Sequence, residues 1–368
     1  MCGEKDMKRY PLLEIDRNVI RRNAEIMLAE CRRHGIEPYA VIKGYNAIPE
    51  INAVLVEAGY KTLASSRLAH LAAVKEAKLP VETLGLRVPM LSEVRDVVRL
   101  CDISLNSELE TLKRLNEAAG EIGVVHKVIL MRDLGDLREG IFDREEFIKT
   151  ACRIEREFDN LSLWGIGVNL SCYGSVIPTV KNLSELASNA EEIEKLTGKK
   201  LQVVSGGATS SLPLMVRGEM PEKINNLRIG EANLITCDLF GYWNCPIEGL
   251  SNRCLVLKAE IIEIGNKPTH PIGELGINCF GAYPHYDDLG VRRRALLGIG
   301  AFDFRDCEKL IPDDPGVKIL GASSDHMVID IEESKIGYRL GDIISFTLYY
   351  PAMLSATESP DVEKYFVN

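Results

Sequence analysis

Eight short runs rich in Val, Ile and Leu, separated by stretches with helical spacing, restrict this chain to very few architectures. They are PYAVIK (38–43), YKTLASS (60–66), VETLGLR (81–87), DISLNS (102–107), HKVILMRD (126–133), SLWGIGVNL (162–170), QVVSGGA (202–208) and NNLRIGE (225–231). Their starts lie 22, 21, 21, 24, 36, 40 and 23 residues apart, which leaves room each time for one helix and two short loops. Such alternation signals βα units around a parallel sheet. Residues 49–58 and 108–119 read as two of the helices, the second with Leu109, Leu112 and Leu115 at i, i+3 and i+6. Eight units in about 200 residues match a (β/α)8 (TIM) barrel. The rival is an open doubly wound sheet, but no G-x-G-x-x-G turn follows the first run.

A strand over LLEID (12–16) and a helix over 18–34 precede the barrel. Past about residue 245 the helical spacing fades. CLVLKAEIIEIG (254–265), RALLGIG (294–300), MVIDI (327–331) and DIISFTLYY (342–350) then alternate with Gly, Pro and Asp clusters. That texture predicts a C-terminal antiparallel β domain. The expected division is 1–244 for the barrel with its leading strand and helix, and 245–368 for the β domain, with the join inside 241–250.

The charge balance narrows the function. Lys and Arg number 44 against 54 Asp and Glu in 368 residues, a net charge of −10. An acidic chain has no general attraction to phosphate backbones or anionic lipid, so nucleic-acid and membrane partners are not expected. Ten cysteines contain no C-x-x-C pair, and six histidines no H-E-x-x-H, so no metal site is expected. The polar start and the lack of a long apolar run fit reduced thiols in the cytoplasm.

Barrel active sites lie at the C-terminal ends of the strands. Lys43 ends the apolar run AVIK, where loss of ammonium solvation lowers an amine's pKa and frees it to attack a carbonyl. The alternative is a lysine that snorkels to solvent. SGGATSSLP (205–213), after the seventh run, offers two glycines, Thr209 and Ser210 as an anion cradle, or an ordinary Gly/Ser turn. Arg228 lies inside an apolar strand and demands an acceptor, which a structural ion pair would also supply. Arg138 follows the fifth run, either as a fork for a substrate carboxylate or as a solvated loop charge. A strand-one lysine, a phosphate cradle after strand seven and an arginine on strand eight together suit a phosphate-bearing carbonyl cofactor, pyridoxal 5'-phosphate.

At these residues the chain resembles the alanine racemase family of pyridoxal-phosphate enzymes, and its motifs most resemble the ornithine racemase branch. AVIKGYNA (40–47) resembles the cofactor-lysine motif and implies Lys43 as the Schiff-base residue. DLGDLREG (133–140) implies Arg138 on the substrate carboxylate. GIGVNLSCYG (165–174) resembles the strand-six segment, with Asn169 where the family usually has His. SGGATSS (205–211) implies Thr209 and Ser210 at the phosphate. LRIGEA (227–232) implies Arg228 opposite the pyridine nitrogen and Gly230 at the phosphate, with Glu231 beside them. GASSDHMVIDI (321–331) implies Ser324 and Asp325 near the site, and LGDII (340–344) resembles the closing Gly-Asp element.

The resemblance implies a barrel plus a β domain, a homodimer with shared active sites, and racemisation of a free amino acid. One departure stands out. Where the family has a catalytic Tyr, this chain reads GIGAFDF (298–304), with Ala301 or Phe302 at that place. Cys279, Asp325 and His326, with Tyr283 and His285, are the candidates for the second proton carrier. A cationic substrate also needs an acidic contact, for which Asp133, Asp136, Glu231, Asp287, Asp288 and Asp325 are available. The rival readings are a pyridoxal-phosphate decarboxylase of basic amino acids with the same fold, and a cofactor-binding protein without racemase activity.

Overall fold

The computed structural model describes residues 8–278 and 280–368, and they divide into two compact units. One spans Asn18–Ser251; the other joins the chain up to Arg17 to Asn252–Asn368.

The first unit is a closed parallel barrel. With β1 the leading strand (Leu12–Asp16), the barrel runs β2 (Glu37–Val41), β3 (Thr62–Ser65), β4 (Glu82–Gly85), β5 (Ile103–Asn106), β6 (His126–Arg132), β7 (Leu161–Val168), β8 (Val203–Ser205) and β9 (Asn226–Ile229). Each strand falls within a residue or two of one of the eight apolar runs. They are rich in apolar residues because a barrel strand is buried on both faces, by its interior and by the outer helices. Tyr39, Val41, Leu84, Leu105, Ile129, Met131 and Val203 form a shared apolar cluster. Tyr39 pairs with Arg228 where β2 meets β9, and this pairing closes the ring.

The outer helices follow their sequence signals. Pro49 sits in the first turn of Pro49–Ala58, and Gly59 ends it at φ 112°. Thr179 and Asn182 form a reciprocal capping box at the start of Val180–Thr197.

In the second unit, β10 (Leu255–Pro268), β11 (Val291–Leu297), β12 (Leu310–Pro312), β13 (Lys318–Ala322), β14 (Met327–Asp330), β15 (Ile343–Leu348) and β16 (Glu363–Val367) join β1 in one eight-stranded sheet. The order β12-β15-β10-β11-β14-β13 is antiparallel throughout. β1 pairs antiparallel with β10 and parallel with β16. The leading strand therefore belongs to the β unit, and not to the barrel as its place in the chain suggests. The join also lies later than 244/245. Residues up to Ser251 stay with the barrel because Asn23 bonds Ser251 both ways, at 2.7 and 2.9 Å.

Among the described residues no helix is long and apolar enough to cross a membrane.

Candidate active site

The barrel strands are parallel, so their C-terminal ends share one rim. β2 stops at Val41, and Lys43 opens a tight turn, Lys43–Tyr45, instead of ending the strand. Asn46 and Ala47 then adopt φ of 53° and 49°. Such angles cost a non-glycine residue energy, and local bonds hold them. Tyr45 Oη donates to Asn52 Oδ1 at 2.8 Å, and Asn52 Nδ2 donates to the Ala47 carbonyl at 2.9 Å. Burial lowers the Lys43 pKa, and Arg138 and Arg228 push the same way against Cys172 and Glu139. All four are thus within electrostatic reach of this amine.

Arg228, on β9, is buried. Its Nη2 donates to the Val168 carbonyl at 2.7 Å, and its Nη1 to Ser205 Oγ. Ser205 Oγ in turn donates to Asn226 Oδ1 at 2.6 Å. No carboxylate forms an ion pair with Arg228 among the described residues, so its acceptors are neutral. Burial pulls its pKa down to about 10.

The loop after β8 closes tightly on itself. Gly207 has φ +113°, and a Cβ there would lie 2.8 Å from Ser211 Oγ. A Cβ on Gly206 would lie 2.7 Å from Ile224 Cγ2. The turn Thr209–Ser211 follows, with all three residues buried, and leads into the short helix Leu212–Val216. The first amides of such a turn have no partner within it, so the cradle offers a few N–H groups and hydroxyls more than a long helix dipole. The Arg228 amide donates to the Gly207 carbonyl at 2.9 Å and ties this loop to β9. Gly230 caps β9; a Cβ there would approach Val41 Cβ to 3.3 Å. Beside it, burial and Asp238 push the Glu231 carboxyl up to about 7, against the pull of Lys43.

Arg138 and Glu139 lie in the loop after β6. Gly135 (φ 106°), Leu137 (φ 56°) and Gly140 (φ 124°) fold this loop back on itself. The Ile141 amide donates to the Met131 carbonyl at 2.9 Å and closes its base. Asp133 Oδ1 accepts the Gly135 and Leu137 amides at 2.8 and 3.2 Å. Arg138 is not a free loop charge: its Nη2 meets Glu139 Oε1 at 2.6 Å, and its Nε meets Oε2. The loop after β7 carries Asn169, whose Nδ2 is buried without a partner among the described residues. Cys172 Sγ lies 3.6 Å from Asn169 Oδ1.

The barrel unit thus brings Lys43, Arg138, Asn169, Thr209, Ser210, Arg228, Gly230 and Glu231 to one rim. Glu139 and Cys172 stand among them, and neither is marked out by the sequence. Their only signal there is adjacency, to Arg138 in LREG and to Asn169 in NLSCYG.

The other candidates lie in the β unit. The amides of Ala301 and Phe302 donate to the carbonyls of Ser323 and Ser324, at 2.9 and 3.2 Å. This unit therefore sets Ala301 and Phe302 against Ser323 and Ser324, next in sequence to Asp325 and His326. Ser324 Oγ donates to Asp325 Oδ2 at 2.5 Å, and Asp325 and His326 are exposed. Cys279 lies outside the described residues.

Residues 15–234, more than half of the chain, match the alanine racemase N-terminal domain. The chain belongs to the alanine racemase family. Within it, the chain is 43% identical over 355 residues to an ornithine racemase of Acetoanaerobium sticklandii, covering 96% of this chain and 99% of that one. It is 36% identical over 358 residues to a lysine racemase of Thermotoga maritima, covering 97% and 98%. The crystal structure of the alanine racemase from D-cycloserine-producing Streptomyces lavendulae superposes with a TM-score of 0.77 at 16% identity, covering 99% and 98% of the two chains. That likeness is one of fold, and this family member keeps the same barrel and β unit.

Proposed function

We propose that this amino-acid racemase works with pyridoxal 5'-phosphate and interconverts L and D forms of ornithine or a similar basic amino acid. The observation that carries the reading is the rim itself: Lys43 just after β2, Arg138 in the loop after β6 and Arg228 on β9 stand at the same end of the barrel as the tight glycine loop after β8. The two relatives named above, an ornithine and a lysine racemase, support the choice of substrate.

The residues fit that cofactor. Gly206 and Gly207 let the loop pack closely, since a Cβ at either would meet Ile224 or Ser211, and Thr209 and Ser210 in the turn that follows would supply donors for a phosphate. Buried Arg228, which has no carboxylate ion-pair partner among the described residues, suits a neutral ring nitrogen. The orphaned Asn169 Nδ2 is a donor in need of an acceptor. When bound, this group supplies an electron sink for the charge left at Cα.

The chain's own residues do the rest. Lys43 Nζ, its pKa lowered by burial, holds the cofactor and then takes or returns the Cα proton on one face. The Arg138 fork would hold the substrate carboxylate, so that it is retained while the Cα proton moves. The second proton carrier comes from the β unit of a partner copy in a homodimer, with Asp325, His326 and Cys279 as candidates. The exposed side chains of Ile272, Ile277, Phe280 and Tyr283 in that unit support such an apposition. The free thiols Cys31, Cys101, Cys152, Cys172, Cys245 and Cys307 support a cytoplasmic setting.

The test is proton exchange in deuterated water with L-ornithine, L-lysine, L-alanine and L-serine. Deuterated D-product from a basic amino acid is the expected result. Exchange with retained chirality would mean that only the Lys43 face is served. Carbon dioxide release, or no exchange with any of the four, would overturn the reading.

A further inference from the structure

We propose that Glu139 selects the substrate: it neutralises Arg138 while no substrate is bound, and when a substrate carboxylate takes its place it pairs with the substrate's distal ammonium. The inference rests on the racemase reading above and adds the residue that distinguishes a basic amino acid from a neutral one.

The Arg138 fork already holds a carboxylate. Glu139 grips it through both oxygens, at Nη2 and Nε, in the geometry a substrate carboxylate would use. The Glu139 side chain is only 18% exposed. Its charge acts on Lys43 and is the foremost charge acting on Arg228, so the pair lies within electrostatic reach of both. A substrate carboxylate that takes this Nε/Nη2 edge of Arg138 displaces Glu139.

Charge balance then decides which amino acids are accepted. Once displaced, Glu139 is a largely sheltered carboxylate without its cation, a costly arrangement unless a new cation arrives. A neutral amino acid brings one carboxylate and leaves Glu139 unpaired. A diamino acid brings a carboxylate for Arg138 and an ammonium for Glu139, so both pairs are restored. Discrimination of this kind works by penalising the wrong substrate as well as by attracting the right one.

The other carboxylates of the rim are already committed. Asp136 accepts the amides of Ser171, Tyr173 and Val176. Asp133 caps its own loop. Glu231, with its pKa near 7 beside Asp238, makes a poor permanent anion. Among the described residues, the hydrogen bonds of Glu139 go to Arg138 alone, and a substrate carboxylate can substitute for them. The loop holds both residues in place. At Gly140 (φ +124°) a Cβ would lie 2.5 Å from the Asp133 amide nitrogen, so Glu139 is followed by a fixed turn.

The experiment compares wild type, Glu139→Gln and Glu139→Asp as holoenzymes on L-ornithine and on L-norvaline, the same carbon chain without the distal amine. Two readouts are taken: kcat/KM for racemisation, and Kd from spectral titration of the bound cofactor. Glu139→Gln should lower kcat/KM for ornithine about 10- to 100-fold, as expected when a hydrogen bond to a charged group is lost. Most of this loss should appear in KM and Kd, and norvaline turnover should rise. Glu139→Asp, which keeps the charge on a shorter arm, should retain part of the preference. If Glu139→Gln lowers both substrates equally, or neither, Glu139 is only a structural partner of Arg138 and the proposal falls, while wild-type racemisation of ornithine still stands. If wild type turns over norvaline as well as ornithine, the basic-substrate reading falls and this proposal falls with it.

Discussion

The Asp136 carboxylate, in the loop after β6, accepts the backbone amide of Ser171, in the loop after β7, at 3.0 Å. One side chain thereby fixes the loop that carries Arg138 and Glu139 to the loop that carries Asn169 and Cys172. It also accepts the amides of Tyr173 and Val176, at 3.1 and 3.2 Å. Burial raises its pKa, but bonds from the Tyr173, Val176, Gly174 and Ser171 amides outweigh burial and the net direction is down.

Replacing Asp136 with Asn should loosen both loops. An amide that turns its NH2 toward backbone N–H groups leaves buried donors unpaired, at a cost of about 1–3 kcal/mol. Hydrogen exchange of the amides of residues 171–176 should accelerate, and KM should rise more than kcat falls. Asp136 has its pKa depressed in the fold, so its contribution is present above the ordinary value of 3.8 and lost as pH falls below it. The denaturation midpoints of wild type and Asp136→Asn should therefore converge in that acid range. A constant difference at every pH would rule out the carboxylate charge as the cause.

Lys43 sets a second expectation, for pH. Its amine must be neutral to attack a carbonyl. Burial first, and then the cations Arg138 and Arg228, lower its pKa from the ordinary 10.5. The rate at which cofactor-free protein captures pyridoxal phosphate, trapped by borohydride, should rise with pH and level off below 10.5. Arg138→Leu removes one of those cations and frees Glu139, so it should move the bend upward. A bend at the ordinary value in wild type would mean that the amine is solvated.

The barrel was legible because strands buried on both faces are built around apolar runs, and the YAVI of PYAVIK and the VILM of HKVILMRD announce themselves that way. Lys43 and Arg228 were legible as charges set in or at the end of such runs. What a residue touches across the fold was not. LLEID reads as a strand, but nothing local says that its neighbours are β10 and β16. DIISFTLYY reads as one strand to residue 350, yet β15 ends at Leu348 and Pro351 sits in the first turn of the helix Tyr350–Glu358. The Arg138–Glu139 pair depends on loop angles at Gly135, Leu137 and Gly140 that no spacing rule contains. The β-unit candidates were legible as motifs only, since a motif names residues and not their surroundings.

Gly207 gives a test of the cradle. An alanine there would hold φ +113° with its Cβ 2.8 Å from Ser211 Oγ. Backbone strain of this kind costs about 1–3 kcal/mol, and the loop relieves it by moving. Because the Gly207 carbonyl accepts the Arg228 amide, the movement reaches β9 as well. Gly207→Ala should keep the barrel's circular dichroism and raise the Kd for pyridoxal phosphate about tenfold, which is the affinity equivalent of about 1.4 kcal/mol. Unchanged cofactor affinity would place the phosphate elsewhere on the rim.

Glu231 yields the last prediction, and its sign separates two pictures of the rim. In one, Glu231 is an anion paired with Lys43, and removing its charge destabilises the protein near neutral pH. In the other, burial and the neighbouring Asp238 dominate, and the carboxyl is pushed from 4.5 up to about 7. The causes favour the second, because Lys43 is the weakest of the three influences. A folded-state pKa above the unfolded value means that the favourable contribution is complete below 4.5 and is lost as pH rises through about 7. Glu231→Gln carries no charge to lose. Relative to wild type, the cofactor-free variant should gain stability progressively between those two values, by about 1–3 kcal/mol, and the gain should stay level above them. Urea denaturation across that pH range measures it. A loss of stability at neutral pH would restore the ion pair with Lys43. In that case the lysine would be protonated at rest and would have to shed its proton before it could hold a cofactor.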